Sequence, residues 1–261
     1  MHTIKLIIAF DGTDFRGWQR QKSGQTIQGE IEDRLRIMTR SDISLEGAGR
    51  TDAGVHARGM VASFKTPSRL TCQAFQQGLN SLLPDSIRIL AATEASPDFH
   101  ARFDARAKTY CYHLDMNQIQ LPHQRLYALH IPVRLDLELI QHCLGKVIGE
   151  HDFASFEASG SRDLTKTTGR GSVRTILDAS LHMTGIHFVT LTFSGDGFLR
   201  HMVRNLVGTL IDVGKGRTSS EAFSQILATA DRKVAGATAP AHGLFLDAVH
   251  YGQDCPGLDR S

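Results

Sequence analysis

Between residues 3 and 92 the apolar pattern switches repeatedly between the period of a strand and that of a helix. This alternation restricts the fold more than any other feature of the chain. Thr3 to Phe10 is a β-rich run that reads as a well-buried strand. Asp11-Gly12-Thr13-Asp14 closes it with turn chemistry. Ile27, Ile31, Leu35 and Met38 recur at helical spacing, which predicts a helix from Thr26 to Met38. Thr26 can cap that helix, and Glu30, Glu32 and Asp33 near its start suit its dipole. Met60 to Phe64 reads as a strand and Thr71 to Leu83 as a helix ended by Pro84. Ile87 to Ala92 reads as another strand. Strand, helix, strand, helix, strand describes a compact α+β unit.

Pro97 to Arg106 is the first plausible boundary. The expected division is therefore 1–103 and 104–261. Beyond it, Lys108 to Leu114 alternates as a strand, and Asn117 to Arg125 is polar with a proline and reads as a loop. Leu135 to Ile148 has helical spacing, and Val173 to Leu181 and His187 to Ser194 read as paired strands. Ser159 to Gly171 is rich in Ser, Thr, Gly and basic residues. In and just after it, Arg162, Lys166, Arg170 and Arg174 face only Asp163 in opposition. A solvated loop and a phosphate-contacting loop both fit that composition. The chain closes with helix-like segments and a strand near Leu244 to Tyr251.

Composition excludes several classes of function. Hydrophobic residues make up 41% and charged ones 21%, which fits a globular chain and not a disordered one. The formal net charge is only +2, so any nucleic-acid surface must come from the arrangement of charges. Cys72, Cys111, Cys143 and Cys255 are isolated and form no Cys-x-x-Cys pair, which argues against a disulfide framework or a zinc site and suggests a reducing compartment. The 13 histidines show no metal-ligand spacing, and no phosphate-cradling loop or cofactor signature is visible, so neither metal nor cofactor is expected. The run Ile4 to Phe10 contains Lys5, stops at Asp11 and is too short for a signal segment. No apolar run is long enough to cross a bilayer, and a cytoplasmic protein is expected.

Chemistry concentrates in Gly47-Ala48-Gly49-Arg50-Thr51-Asp52-Ala53-Gly54-Val55-His56-Ala57. One carboxylate, Asp52, stands between Arg50 and His56 among glycines that permit tight turns. Arg50 can partly neutralise Asp52 and fix its rotamer, and a structural Arg–Asp turn fits the same residues. Gly47-Ala48-Gly49 begins a dinucleotide fingerprint, but its third glycine is replaced by Asp52. In the loop before the first helix, Trp18 lies among Arg16, Gln19, Arg20 and Lys22 and suits either RNA or the core. Tyr110 and Tyr112 share one face of a strand, which is usually a core arrangement. Leu199, Met202, Val203, Leu206, Val207 and Leu210 fall at helical spacing, with Arg200 and Arg204 one turn apart on another face. Like charges at that spacing repel by a few tenths of a kcal/mol, so the pair is more comfortable beside an anion. Solvent, a structural carboxylate, RNA phosphate and Asp52 all qualify.

The string Gly49 to Ala57 resembles the catalytic motif of the TruA family of tRNA pseudouridine synthases. Four other blocks, in the same order, resemble that family: Phe10-Asp11-Gly12-Thr13 through Gln19, Phe99 to Tyr112, Gly197 to Gly208, and Gly243-Leu244-Phe245-Leu246. The resemblance implies an α+β fold of two α/β domains with mixed and antiparallel sheets and a basic catalytic cleft between them. It implies Asp52 as the catalytic residue, Tyr110 stacking on the target base, Arg50 and Arg204 holding and charging the site, and Leu244 at the substrate. It further implies a homodimer, no cofactor, and action on the tRNA anticodon stem-loop at uridines 38, 39 and 40. Phe10 departs from the tyrosine often found there. An RNA-binding module without turnover is the alternative from another class. A glycoside hydrolase would normally need two carboxylates, and this motif supplies one.

Overall fold

A computed structural model of the protein describes residues 1–160 and 170–252. It is α+β, and its residues cluster into two compact units. The first comprises Met1–Arg106 and returns from Phe245 onward; the second is Ala107–Leu244.

The first unit holds β1 (His2–Phe10), α1 (Ile27–Thr39), β2 (Glu46–Gly47), β3 (His56–Thr66), α2 (Cys72–Leu82) and β4 (Ile87–Ala95). β1 lies between β3 and β4 and is antiparallel to both. Its period-2 pattern buries Ile4, Leu6, Ile8 and Phe10, while Lys5, Ile7 and Ala9 are only half-buried. Each such buried aliphatic side chain contributes roughly 1.5–3 kcal/mol. α1 begins where Thr26 Oγ1 accepts the Gly29 N–H at 3.2 Å, a cap worth about 1 kcal/mol. It buries Ile27, Ile31 and Leu35 completely. Thr71 caps α2 in the same way, through the Ala74 N–H at 3.1 Å. α2 packs on β4, and its Phe75 meets Phe64 of β3 edge to face at 5.4 Å.

The second unit holds β5 (Ala107–Asp115), β6 (Leu129–His130), α3 (Leu137–Lys146), β7 (Gly149–Asp152), β8 (Val173–Gly185), β9 (Phe188–Gly195), α4 (Met202–Gly214) and α5 (Ser220–Thr229). Its sheet runs β5-β9-β8-β7, antiparallel throughout, with β6 added in parallel to β5. α4 is almost wholly buried, because Met202, Leu206, Val207 and Leu210 face the core while Asn205, Gly208 and Thr209 are also covered.

The last strand, β10 (Leu244–His250), runs parallel to β3, with Phe245 opposite His56 and Leu246 opposite Ala57. The units therefore differ from a division into 1–103 and 104–261 by this returning strand, whose partner lies early in the chain. A second difference concerns α4. His201 takes a left-handed φ of 63°, so the helix starts at Met202. Leu199 and Arg200 stand outside it, and Arg200 and Arg204 are not one helical turn apart. Of the basic loop residues, Arg162 and Lys166, with Asp163, lie outside the described residues. Arg170 pairs with Asp196, and Arg174 lies on β8 donating to the Gly171 carbonyl at 3.0 Å.

Inside a helix, exchanging glycine for alanine normally stabilises by about 1 kcal/mol. Gly208 of α4 reverses the sign, because a Cβ there would overlap the Ala237 carbonyl oxygen. Gly208→Ala is expected to destabilise by about 1–3 kcal/mol, as overpacking does. Thermal unfolding checks this, and an unchanged or raised Tm would mean that the 236–239 segment yields freely.

Candidate active site

In the first unit, the segment from Ala48 to Val55 is a loop braced by the chain that follows β1. Ala48 still hydrogen-bonds β3, its N–H donating to the Val61 carbonyl at 2.8 Å. The chain then leaves the sheet. The Thr51 carbonyl accepts the Trp18 N–H at 3.1 Å, and the Gly54 N–H donates to the Phe15 carbonyl at 3.4 Å. Between those anchors, the Val55 N–H closes a turn onto the Asp52 carbonyl at 3.2 Å. Gly17, at φ +87°, lies so close that a Cβ would come within 2.5 Å of the Thr51 oxygen and 3.1 Å of the Asp52 carbonyl carbon. Only glycine combines that positive φ with that approach. Trp18 is a core residue, 3% exposed, with its indole beneath Gly47. Of the neighbouring cations, Arg20 is held by Glu32 at 2.7 Å and Asp33 at 2.9 Å.

Asp52 is half-buried on this pinned turn. Arg50, two residues earlier, is exposed and makes no ion pair among the described residues. His56 follows the turn that the Val55 N–H closes onto Asp52. It opens β3 and turns inward, fully buried, its Nδ1 accepting the Gly12 N–H at 3.0 Å with the Asp11 carboxylate at 3.2 Å. Its ring stacks on Phe245 at 4.6 Å. Arg58, two residues on, lies over the same phenyl ring at 4.5 Å and pairs with Asp247 at 3.2 Å. Arg58 and Asp247 were not named from sequence; their pairing depends on the parallel pairing of β3 and β10, which local spacing does not encode.

In the second unit, α4 and the segment 236–243 position the remaining candidates. Arg204 is half-buried and engaged twice by one residue: its Nε–H donates to the Ala239 carbonyl at 2.8 Å, and its own carbonyl accepts the Ala239 N–H at 3.1 Å. Next to Arg204 on α4, the fully buried Asn205 accepts from Thr238 Oγ1 at 2.6 Å and from Arg232 at 3.1 Å. Its amide donates to the Phe156 carbonyl at 2.7 Å. These bonds fix segment 236–243, and through it the direction of the Arg204 side chain. Tyr112 completes the set by donating its hydroxyl to the Pro240 carbonyl at 2.8 Å. Burial holds the Tyr112 phenol above its usual range, against a smaller opposing pull from the Arg204 charge.

Tyr110 points to the same side of β5 and is buried, 8% exposed, edge to face with Phe198 at 5.0 Å. Its ring contributes to packing, so truncation to alanine would cost stability. Tyr110→Phe, which keeps the ring, is the informative substitution. Leu244 is 5% exposed and ends the second unit. Asp52 and Arg50 thus belong to the first unit; Tyr110, Arg204 and Leu244 belong to the second.

A family model described as tRNA pseudouridine synthase matches residues 6–104 and 145–252. The chain belongs to the tRNA pseudouridine synthase family. The matched stretches contain Arg50, Asp52, Arg204 and Leu244, whereas Tyr110 and Tyr112 fall between them. Curated relatives of this tRNA pseudouridine synthase align along nearly the whole chain. A Desulfotalea psychrophila protein named tRNA pseudouridine synthase A 1 is 55% identical, covering 96% of this chain and 100% of the relative. Proteins named tRNA pseudouridine synthase A from Acetivibrio thermocellus and a Geobacter species are 42% and 44% identical, again over 96% of this chain and 100% and 99% of theirs.

The environment of Arg204 also sets a pH dependence. Burial lowers the pKa of His242, the Arg204 charge pushes the same way, and a hydrogen bond with the Ala128 backbone opposes both. The folded protein therefore binds this proton more weakly than the unfolded chain does. As pH falls through about 6.5, the ordinary histidine value, the unfolded chain takes up the proton first and stability drops. The drop ends once the folded protein is protonated too. Urea unfolding across this pH range should show the decline, and His242→Gln should flatten it. An equal decline in the variant would assign it to other groups.

Proposed function

We propose that this chain isomerises uridine to pseudouridine in tRNA, with Asp52 as the nucleophile or base. The observation that carries the reading is that the carboxylate of the family motif sits on a turn whose backbone is pinned on both sides, at Thr51 and Gly54. A carboxylate so held loses little freedom when it meets a substrate, which is how positioning lowers a barrier.

The reaction breaks the N-glycosidic bond between ribose C1′ and uracil N1, turns the uracil, and joins C5 to C1′. C5 gives up its proton and N1 gains one, so no electrons are gained or lost. The target base must first leave its stack. In this reading Tyr110 receives the flipped base, a contact worth roughly 1–3 kcal/mol. Arg204 and Arg50 hold the charged groups of the site, and Leu244 contacts the substrate. Uridines 38, 39 and 40 of the anticodon arm, a homodimer and a cytoplasmic setting belong to the same reading and follow from the family resemblance. Among the described residues, no helix is long and apolar enough to cross a membrane.

Asp52→Asn keeps the shape and removes the charge. It should lower turnover by about 10²–10⁴-fold or more and leave tRNA affinity within a few-fold. Release of tritium from C5-labelled uridine in tRNA measures turnover, and filter binding measures affinity. Retained turnover would remove Asp52 from the chemistry. A wild-type protein that binds tRNA and releases no tritium would be an RNA-binding module.

A further inference from the structure

The turn between β4 and β5 presents an aromatic ring that neither the core nor the site above uses. Phe103 is 76% exposed. The turn beneath it is rigid. His100 Nδ1 accepts the N–H groups of both Arg102, at 3.1 Å, and Phe103, at 3.4 Å. The His100 N–H donates to the Asp104 carboxylate at 2.9 Å, and the Asp104 N–H returns to the His100 carbonyl at 3.1 Å. Ala101, at the middle, is fully buried and tied down twice. Its N–H donates to Ser63 Oγ at 3.1 Å, and its carbonyl accepts the Tyr251 hydroxyl at 2.6 Å.

A single exposed phenylalanine is ordinary by itself. This one stands on a turn closed by side-chain as well as backbone bonds and anchored to the sheet. It is also not alone. The His100 ring lies 4.2 Å from its centroid, and the Arg102 guanidinium is 5.8 Å away. Arg102 and Arg106 are exposed cations, and the Asp104 carboxylate accepts a backbone N–H within the turn. A fixed aromatic face beside guanidinium groups matches a base with its phosphate. A purely apolar partner would leave those cations to be desolvated without compensation.

We propose that Phe103, flanked by Arg102, is a stacking platform for an unpaired nucleobase of the RNA substrate, separate from the base undergoing chemistry. The proposal rests on the reading of this chain as a tRNA-modifying enzyme. Phe103 contributes its ring face; Arg102 contributes charge to the adjoining phosphate. Both act on binding and not on bond breaking.

The test uses the full chain and unmodified tRNA. Phe103→Ala should raise KM about 5- to 100-fold, the equivalent of one lost base stack, with the effect in KM and not in kcat. Because the ring carries no charge, the slope of log affinity against log salt should be unchanged, whereas Arg102→Ala should reduce it by about one. Phe103→Trp should restore KM, and the emission of the introduced indole should be quenched on adding tRNA beyond any change in wild type, whose Trp18 is 3% exposed. Thermal unfolding should find all three variants as stable as wild type. An unaltered KM in Phe103→Ala, or an indole whose emission ignores tRNA, would overturn the proposal. So would a change of oligomeric state in Phe103→Ala by sedimentation, which would assign the ring to contact between chains. If wild type binds tRNA but releases no tritium, the enzymatic reading fails, while affinity and quenching still decide the platform.

Discussion

The backbone contact between Gly17 and the Thr51–Asp52 peptide is the constraint on which the candidate site depends. Nothing in the loop from Gly49 to Val55 belongs to a strand or helix, so its shape must be imposed from outside. The imposition comes from the chain following β1, through the Trp18 N–H to the Thr51 carbonyl and through van der Waals contact at Gly17. That chain is itself fixed, since Trp18 is core and the Gly12 N–H is satisfied by His56. The catalytic candidate therefore inherits rigidity from two hydrophobic anchors, β1 and Trp18, although its own segment has little to bury. Loops that carry chemistry on a rigid scaffold commonly work this way.

The elements of this fold were legible where local chemistry decides them. Thr26 was readable as a helix cap because a hydroxyl before an apolar helical period has few other uses there. The β8–β9 pairing followed from two adjacent runs of suitable composition. What stayed hidden was whatever depends on contacts distant in sequence. His56 lies four residues from Asp52 in sequence, but it opens β3 and its ring stacks on Phe245, distant in sequence. Arg200 and Arg204 looked like one helical face because the apolar period continues through Leu199. The left-handed backbone at His201 breaks the helix without breaking the period. Trp18 was ambiguous for the same reason: its cationic neighbours in sequence are Arg16 and Arg20, but its neighbour in space is Gly47.

The second unit solves its positioning problem differently. There the candidate cation stands on a helix, which fixes the backbone but leaves a long side chain free to sample many rotamers. Freezing such a chain costs up to about 2 kcal/mol. The bond from Arg204 Nε to the Ala239 carbonyl prepays part of that ordering in the folded protein. Ala239 can serve only because segment 236–243 is itself held by Asn205, Thr209 and Tyr112, through Thr238, Gly236 and Pro240. A fully buried asparagine on a helix costs stability unless every polar atom is met, and here both its amide and its carbonyl oxygen are. The polar network in this core thus has a directional purpose that an apolar side chain could not supply.

Several arginines are held by groups that fix their direction. Arg20, Arg58, Arg88 and Arg170 each meet a carboxylate, so their charges are largely cancelled within the protein. Such pairs set geometry and offer little attraction to an external anion. The hydrogen bond that directs Arg204 ends on a neutral carbonyl. That bond sets the direction of the Arg204 side chain. Arg102 meets an aromatic face, 5.8 Å from the Phe103 centroid. With a net charge of only +2, the chain has no general field to draw in a polyanion. Where a phosphate is drawn is then set by the arrangement of individual cations, and not by net charge.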